Sequence, residues 1–308
     1  MESSFVDALA DYATLVLDDP TVSDEFRWTV RQLMASVELI APLDEFIRIA
    51  HQRMPSGRML YIDASILKVL ARASIPGLQE DGVRECISTL DHAIIIAGAA
   101  VDDARRDYVV HDVIKRLQSA IPWYPPRSAV LIAKPAVPHP LSTSRNSIRV
   151  LTALPSLLVP QKLWCRAPFV LRRYADDWPA IHHWPSLSYL SSVAGPGRIV
   201  PVEVGDDYRS DDWSQKLISW QDFLSSLDPS ADSPHQTIYL AQHCLFAQFP
   251  QLREDILLPD IVYASLDSPD FPAYQPPHDV ILNAWLGPKG TISPAHTVSL
   301  HLLCEPIK

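Results

Sequence analysis

The sequence predicts an α+β protein, with an all-helical first part followed by a β-rich second part. Three observations carry that expectation. Apolar residues recur at helical spacing from Phe5 to about Ile121, prolines crowd residues 122–162, and from residue 163 onward the apolar period falls toward two. The expected domains are therefore 1–121 helical, 122–162 a Pro-rich linker, and 163–308 a β domain.

In the first part the clearest apolar stripe is Val22, Phe26, Val30, Leu33, Val37 and Ile40, spaced to face a core. Asp18-Asp19-Pro20 ends one helix, Ser23 with Asp24 and Glu25 caps the next, and Pro42 suits a first helical turn. Further helices are expected through Leu43–Met54, Met59–Ala73, Val83–Val101 and Tyr108–Ile121. They suit either an antiparallel bundle or a short helical-repeat stack, because no period names a repeat family.

Prolines at 122, 125, 126, 135, 138, 140, 155 and 160 remove backbone donors and fix φ, so regular structure is not expected there. Arg145 and Arg149 read as solvated linker charges. Beyond the linker, Phe169–Leu171, Ile199–Val204, Thr237–Leu240, Val280–Leu286 and Thr291–His296 are short strand-like runs between Gly, Pro and Asp clusters. Ser210–Leu217 and Ser219–Leu227 read as helices, the second with Ser219 as N-cap. Such alternation suits a sandwich or barrel of the jelly-roll kind.

Composition excludes several classes. Acidic residues exceed basic ones by ten, and the sequence pI is near 5.5, so phosphate backbones and anionic lipid are repelled. Direct nucleic-acid and membrane partners are not expected. The longest apolar run, Ala93–Val101, falls well short of the roughly 20 residues of a spanning helix. Glu2-Ser3-Ser4 does not open a secretory signal, so the expected location is the nucleus, the cytoplasm or both. Cys86, Cys165, Cys244 and Cys304 are scattered and read as reduced thiols. Neither a nucleophile-elbow, a P-loop nor a dinucleotide-binding glycine pattern occurs.

Six ordered stretches then narrow the reading: PFVLRRYADDWPAI from Pro168, WPSLSYL from Trp184, RIVPVEVGDDY from Arg198, DDWSQKLISWQDFL from Asp211, YLAQHCLFAQFPQLREDILLPD from Tyr239 and NAWLGPKGTISPAH from Asn283. Together they resemble the JmjC family of Fe(II)/2-oxoglutarate oxygenases, in particular its arginyl-hydroxylase and putative lysine-demethylase branch. The resemblance implies a double-stranded β-helix of the cupin-like, jelly-roll type and hydroxylation of a protein side chain, arginine or methyl-lysine. The implied partner is a protein or peptide substrate, such as a histone or a ribosomal or chromatin protein. In that family two His and one carboxylate hold the iron. By resemblance His296 is the first metal ligand, Tyr239 and Ser293 bind the co-substrate, and Glu203, Gln242 and Trp285 line a pocket for a cationic side chain. Glu203 supplies charge complementarity and Trp285 a face for a guanidinium. Without that context Tyr239 and Trp285 read as core aromatics, Glu203, Gln242 and Ser293 as surface polar residues, and His296 as an ordinary satisfied histidine. The other histidines gain no support from the resemblance.

The pattern breaks after Thr297, where Val298 stands in the place of the ligating carboxylate. The resemblance implies a second iron-binding His and a basic residue for the far carboxylate of 2-oxoglutarate, and both fall after this point in the family. The sequence is accordingly expected to be an incomplete β-helix, cut short within the domain, that does not hold Fe(II) and 2-oxoglutarate stably. The codons of Val298-Ser299 can read GTRAGT, an intron donor pattern, which would make the last eleven residues unrelated to the domain. The rival reading is a non-catalytic adaptor acting through the helical domain.

Overall fold

The computed structural model describes residues 2–98, 103–124, 148–153, 169–205, 213–227, 237–259, 280–288 and 291 of the 308. Its first half is a set of six helices: α1 (Glu2–Asp18), α2 (Asp24–Ala35), α3 (Ala41–Gln52), α4 (Arg58–Ser74), α5 (Glu80–Ala97) and α6 (Ala104–Gln118). Local chemistry sets their ends as the sequence suggests. Ser23 accepts from the Phe26 amide at the start of α2, and Pro42 lies in the first turn of α3. At the other end of α5, Gly98 takes the left-handed conformation with φ +68°, so that its N–H reaches the Ile94 carbonyl.

α4 packs against α1, α3 and α5 and is buried on most of its surface, including Ile62, Ile66, Leu67 and Leu70. A helix covered by neighbours on several sides is a bundle centre and not a member of a linear stack. One apolar core runs from Phe5 to Ile121, and the stripe read from the sequence lies in or against it. Charge is buried here too: Asp63, 1% exposed, accepts from Tyr12 Oη at 2.6 Å and from Arg106 Nε at 2.8 Å.

The second half begins with β1 (Arg149–Leu151) paired in parallel with β2 (Phe169–Leu171). Arg149 thus belongs to a short strand within the Pro-rich segment that was expected to lack regular structure, while Arg145 lies outside the described residues. Then come α7 (Pro179–His183), α8 (Leu187–Ala194), β3 (Ile199–Val204), β4 (Ser214–Ser219), α9 (Trp220–Ser226), β5 (Ile238–His243), α10 (Leu245–Gln248), α11 (Gln251–Glu254) and β6 (Ala284–Leu286). Strands β3 to β6 form an antiparallel sheet in the order β4-β3-β5-β6.

Residues Ser214–Leu217, expected in a helix, are instead part of β4. Trp213 and Leu217 stand four apart and mimic a helical stripe, but all six residues of β4 pair with β3, and that ladder outweighs local spacing. The Ser219 cap holds, its side chain accepting from the Asp222 amide to start α9. α8, α9, α10 and α11 cover one sheet face, where Val200, Val202, Val204 and Leu240 meet Leu190, Trp220, Phe223 and Phe249.

The helical half and the sheet half meet at a polar seam. Asp91 of α5 is fully buried and accepts from Arg198 Nη2 at 2.7 Å, from the Ile199 amide at 2.9 Å and from Gln248 Nε2 at 2.8 Å. Arg198 also donates to the Gln248 carbonyl at 2.9 Å and lies 4.7 Å above the Phe249 ring. Gln118 adds hydrogen bonds to the carbonyls of Ala194 and Pro196.

Candidate functional site

Strand alternation decides which residues share the open sheet face. Val200, Val202 and Val204 point into the helix-covered core, so Glu203 points to the opposite side. Glu203 is registered directly across from Tyr239, and side chains opposite one another in an antiparallel pair share a face. Leu240 pairs with Leu286 and both belong to the core side, which places Trp285, one residue before Leu286, on the open side at 39% exposure. Glu203, Tyr239 and Trp285 thus share one face of three adjoining strands.

Gln242 reaches this group by an irregularity. Leu240 pairs with Leu286 and His243 with Ala284, so Ala241 and Gln242 together oppose Trp285 alone. Two residues against one is a β-bulge, and Gln242 carries φ +49°, in the left-handed region. The exposed Gln242 therefore sits beside Trp285.

Tyr239 is held closely. A Cβ on Gly287 would stand 2.8 Å from Tyr239 Cδ2 and 2.6 Å from Thr291 Oγ1, so glycine is what lets the turn approach the ring. That turn is closed by the Thr291 amide and hydroxyl, which both donate to the Pro288 carbonyl. Burial, and secondarily the charge of Glu203, push the Tyr239 phenol above its ordinary pKa. It stays protonated at neutral pH and is a hydrogen-bond donor.

Ser293 and His296 lie outside the described residues, as do Thr297 and Val298. Among the described residues no group of three His, Cys, Asp or Glu is placed to hold a metal ion. The donor set of the motif itself does not fit ferrous iron, since His296-Thr297-Val298 offers an imidazole and then an aliphatic side chain where a carboxylate is required.

Besides the polar seam, two features are not legible in the sequence. The bulge has no signal in sequence, because glutamine has no particular taste for the left-handed region. The other is the Asp255 cluster, in which one carboxylate accepts from Tyr189 Oη at 2.6 Å, Trp184 Nε1 at 2.8 Å and His183 Nδ1 at 2.9 Å. Although burial opposes it, this set of donors leaves the Asp255 carboxyl below its ordinary pKa and pins α7, α8 and α11 together. Its partners are 66 to 72 residues apart in sequence, so nothing local could have joined them.

Residues 161–300 match the cupin-like domain family. The chain is 46% identical over 141 residues to Jumonji C domain-containing protein 5 of Drosophila melanogaster, a match that covers 45% of this chain and 33% of the relative. Residues 161–300 are thus similar to cupin-like domains, and the chain is similar to proteins named for the JmjC domain. The chain is also 41% identical over 129 residues to lysine-specific demethylase JMJ30 of Arabidopsis thaliana, covering 42% of this chain and 28% of that protein. With lysine-specific demethylase 8 of Danio rerio it shares 43% over 133 residues, 42% of this chain and 30% of that one. The match thus takes in about a third of the length of these relatives. The α+β order, helices first and a cupin-like domain with an antiparallel sheet second, is the one expected from the sequence. Among the described residues no helix is long and apolar enough to cross a membrane.

Proposed function

We propose that the cupin-like domain is the substrate-recognition part of an Fe(II)- and 2-oxoglutarate-dependent protein hydroxylase, and that its open sheet face takes an arginine side chain of a protein or peptide. One observation carries the reading. The register sets Glu203 across from Tyr239 on the same face as Trp285, so a carboxylate, a phenol donor and an indole share the open sheet face. A guanidinium can pair bidentately with Glu203 and stack on Trp285, which a methylated ammonium can do only in part. Gln242, beside Trp285 on the bulge, adds amide donors and an acceptor. Tyr239 and Ser293 are assigned to the co-substrate. Bound iron and 2-oxoglutarate supply the oxidising power in this family. The motif of this chain lacks the carboxylate ligand, which leaves His296 as its one metal-binding side chain.

Isothermal titration with an arginine peptide, its citrulline counterpart and its trimethyl-lysine counterpart tests the assignment. The arginine peptide is expected to bind best, with Glu203→Gln weakening it by about tenfold or more, the value of a charge-assisted hydrogen bond. Equal binding of the citrulline peptide, or indifference to Glu203→Gln, overturns it.

A further inference from the structure

The buried seam ends at the bulge. Gln248 Nε2 donates both of its hydrogens, one to Asp91 Oδ1 at 2.8 Å and one to the Ile199 carbonyl at 2.6 Å. Both partners are obligate acceptors, which fixes the amide orientation and leaves Gln248 Oε1 as an acceptor. The atom facing it, at 2.8 Å, is His243 Nε2. His243 therefore carries its proton on Nε2. Burial holds this imidazole below the usual histidine pKa, so it is the neutral Nε2–H tautomer at neutral pH.

His243 is the residue at which regular pairing with β6 resumes after the bulge. Gln242, just before it, keeps a left-handed φ that a side chain with a Cβ rarely adopts and only at an energetic cost. Such a conformation persists only where its surroundings enforce it. On one side stands the Leu240–Leu286 pair, on the other His243 tied through Gln248 to a carboxylate of the helical half. We propose that Asp91 is a positioning residue for the substrate face: through Gln248 and His243 it holds the Ala241–Gln242 bulge that sets Gln242 beside Trp285. The helical half is then part of the recognition site without touching substrate. The functional consequence rests on the reading of the open face as an arginine site, but the structural linkage does not.

The test is long-range 1H–15N correlation spectroscopy of His243 in the full chain, run with peptide titrations. Wild type is expected to show the Nε2–H tautomer with a slowly exchanging ring proton. Asp91→Asn leaves one acceptor oxygen for Arg198, the Ile199 amide and Gln248 together, so Gln248 is held less firmly and the slow Nε2–H signal of His243 is expected to weaken. Gln248→Asn keeps the Arg198–Asp91 pair but no longer reaches His243, and the slow Nε2–H signal is expected to vanish while the thermal transition stays cooperative. Both variants are expected to weaken the arginine peptide by about tenfold, and Gln242→Ala on top of either adds little further loss. An unchanged His243 spectrum in Gln248→Asn overturns the proposal even if Asp91→Asn fails to fold. Altered spectra with unaltered peptide affinity overturn the positioning role. If the wild-type chain binds no arginine peptide, the substrate reading fails, and the spectra with amide exchange at Gln242 still decide whether Asp91 holds the bulge.

Discussion

Arg106 and Arg198 are both 5% exposed and both meet a buried aspartate, yet they secure different things. Arg106 works inside the helical half, donating to Asp63, Asp19 and Asp103, three carboxylates drawn from α4, the end of α1 and the cap of α6. Among the described residues Arg198 has one carboxylate, Asp91, and that carboxylate is in the other half of the molecule. The first site locks a bundle to itself, whereas the second joins two structures that each have their own apolar core. Burying a charge is tolerable only where partners replace the lost water. Here the same solution serves internal stability in one place and communication between halves in the other.

The largest difference should appear when each arginine is removed. Arg106→Met leaves Asp63 buried with Tyr12 as its one hydrogen-bonding partner among the described residues. It is expected to cost about 3–5 kcal/mol in denaturant melts followed by helical circular dichroism. Arg198→Met leaves Asp91 with the Ile199 amide and Gln248, so the expected loss is smaller, about 2–3 kcal/mol. It should separate the transitions of the two halves instead of lowering both together. A single cooperative transition in Arg198→Met, shifted as far as in Arg106→Met, would show that the two sites do the same job.

Acid sharpens the comparison next. Asp19 is held down to about 2 chiefly by hydrogen bonds from Thr21, with Arg106 contributing, against an ordinary 3.8. Its folded pKa is below its unfolded one, so its contribution is present above pH 3.8 and is lost as pH falls from there toward 2. His243 is also depressed, by burial, but it is a base. Folding there excludes a proton, so its contribution is complete above pH 6.5 and is lost as pH falls below that value. The seam should therefore loosen at milder acidity than the helical half, and His243→Gln should abolish that early phase in a pH titration of stability.

Smaller effects belong to the open face. Gly287→Ala is expected to push the Tyr239 ring or Thr291 aside at a cost of about 1–3 kcal/mol, seen as a lowered melting temperature and a changed Tyr239 ring signal. Glu203→Gln should lower the Tyr239 phenol pKa while leaving it above 10, because burial is the larger cause and remains. Ultraviolet titration, with Tyr239→Phe subtracted, measures it.

The contrast also explains what could be read from sequence. Helix caps at Ser23 and Ser219, the Pro42 start and the β3 strand were legible because their causes are local: a side-chain acceptor, a fixed φ, an alternation of valines. Glu203, Tyr239, Gln242 and Trp285 were picked from motif order, and the strand register brings these four together. His296 and Ser293 fall outside the described residues, so their placement stays an expectation of the motif. β4 was misread because an edge strand with Leu217 exposed carries little alternation. The seam was invisible for a different reason. Asp91 looks like one more polar residue on an amphipathic helix, and its partners lie 107 and 157 residues further on.

Amide hydrogen exchange at Gln242 and His243 in Asp91→Asn, set against the same amides in Asp63→Asn, tests the link between the halves most directly. The account expects the β5 bulge to open in Asp91→Asn and to stay protected in Asp63→Asn. Equal protection of the bulge in both variants would contradict it.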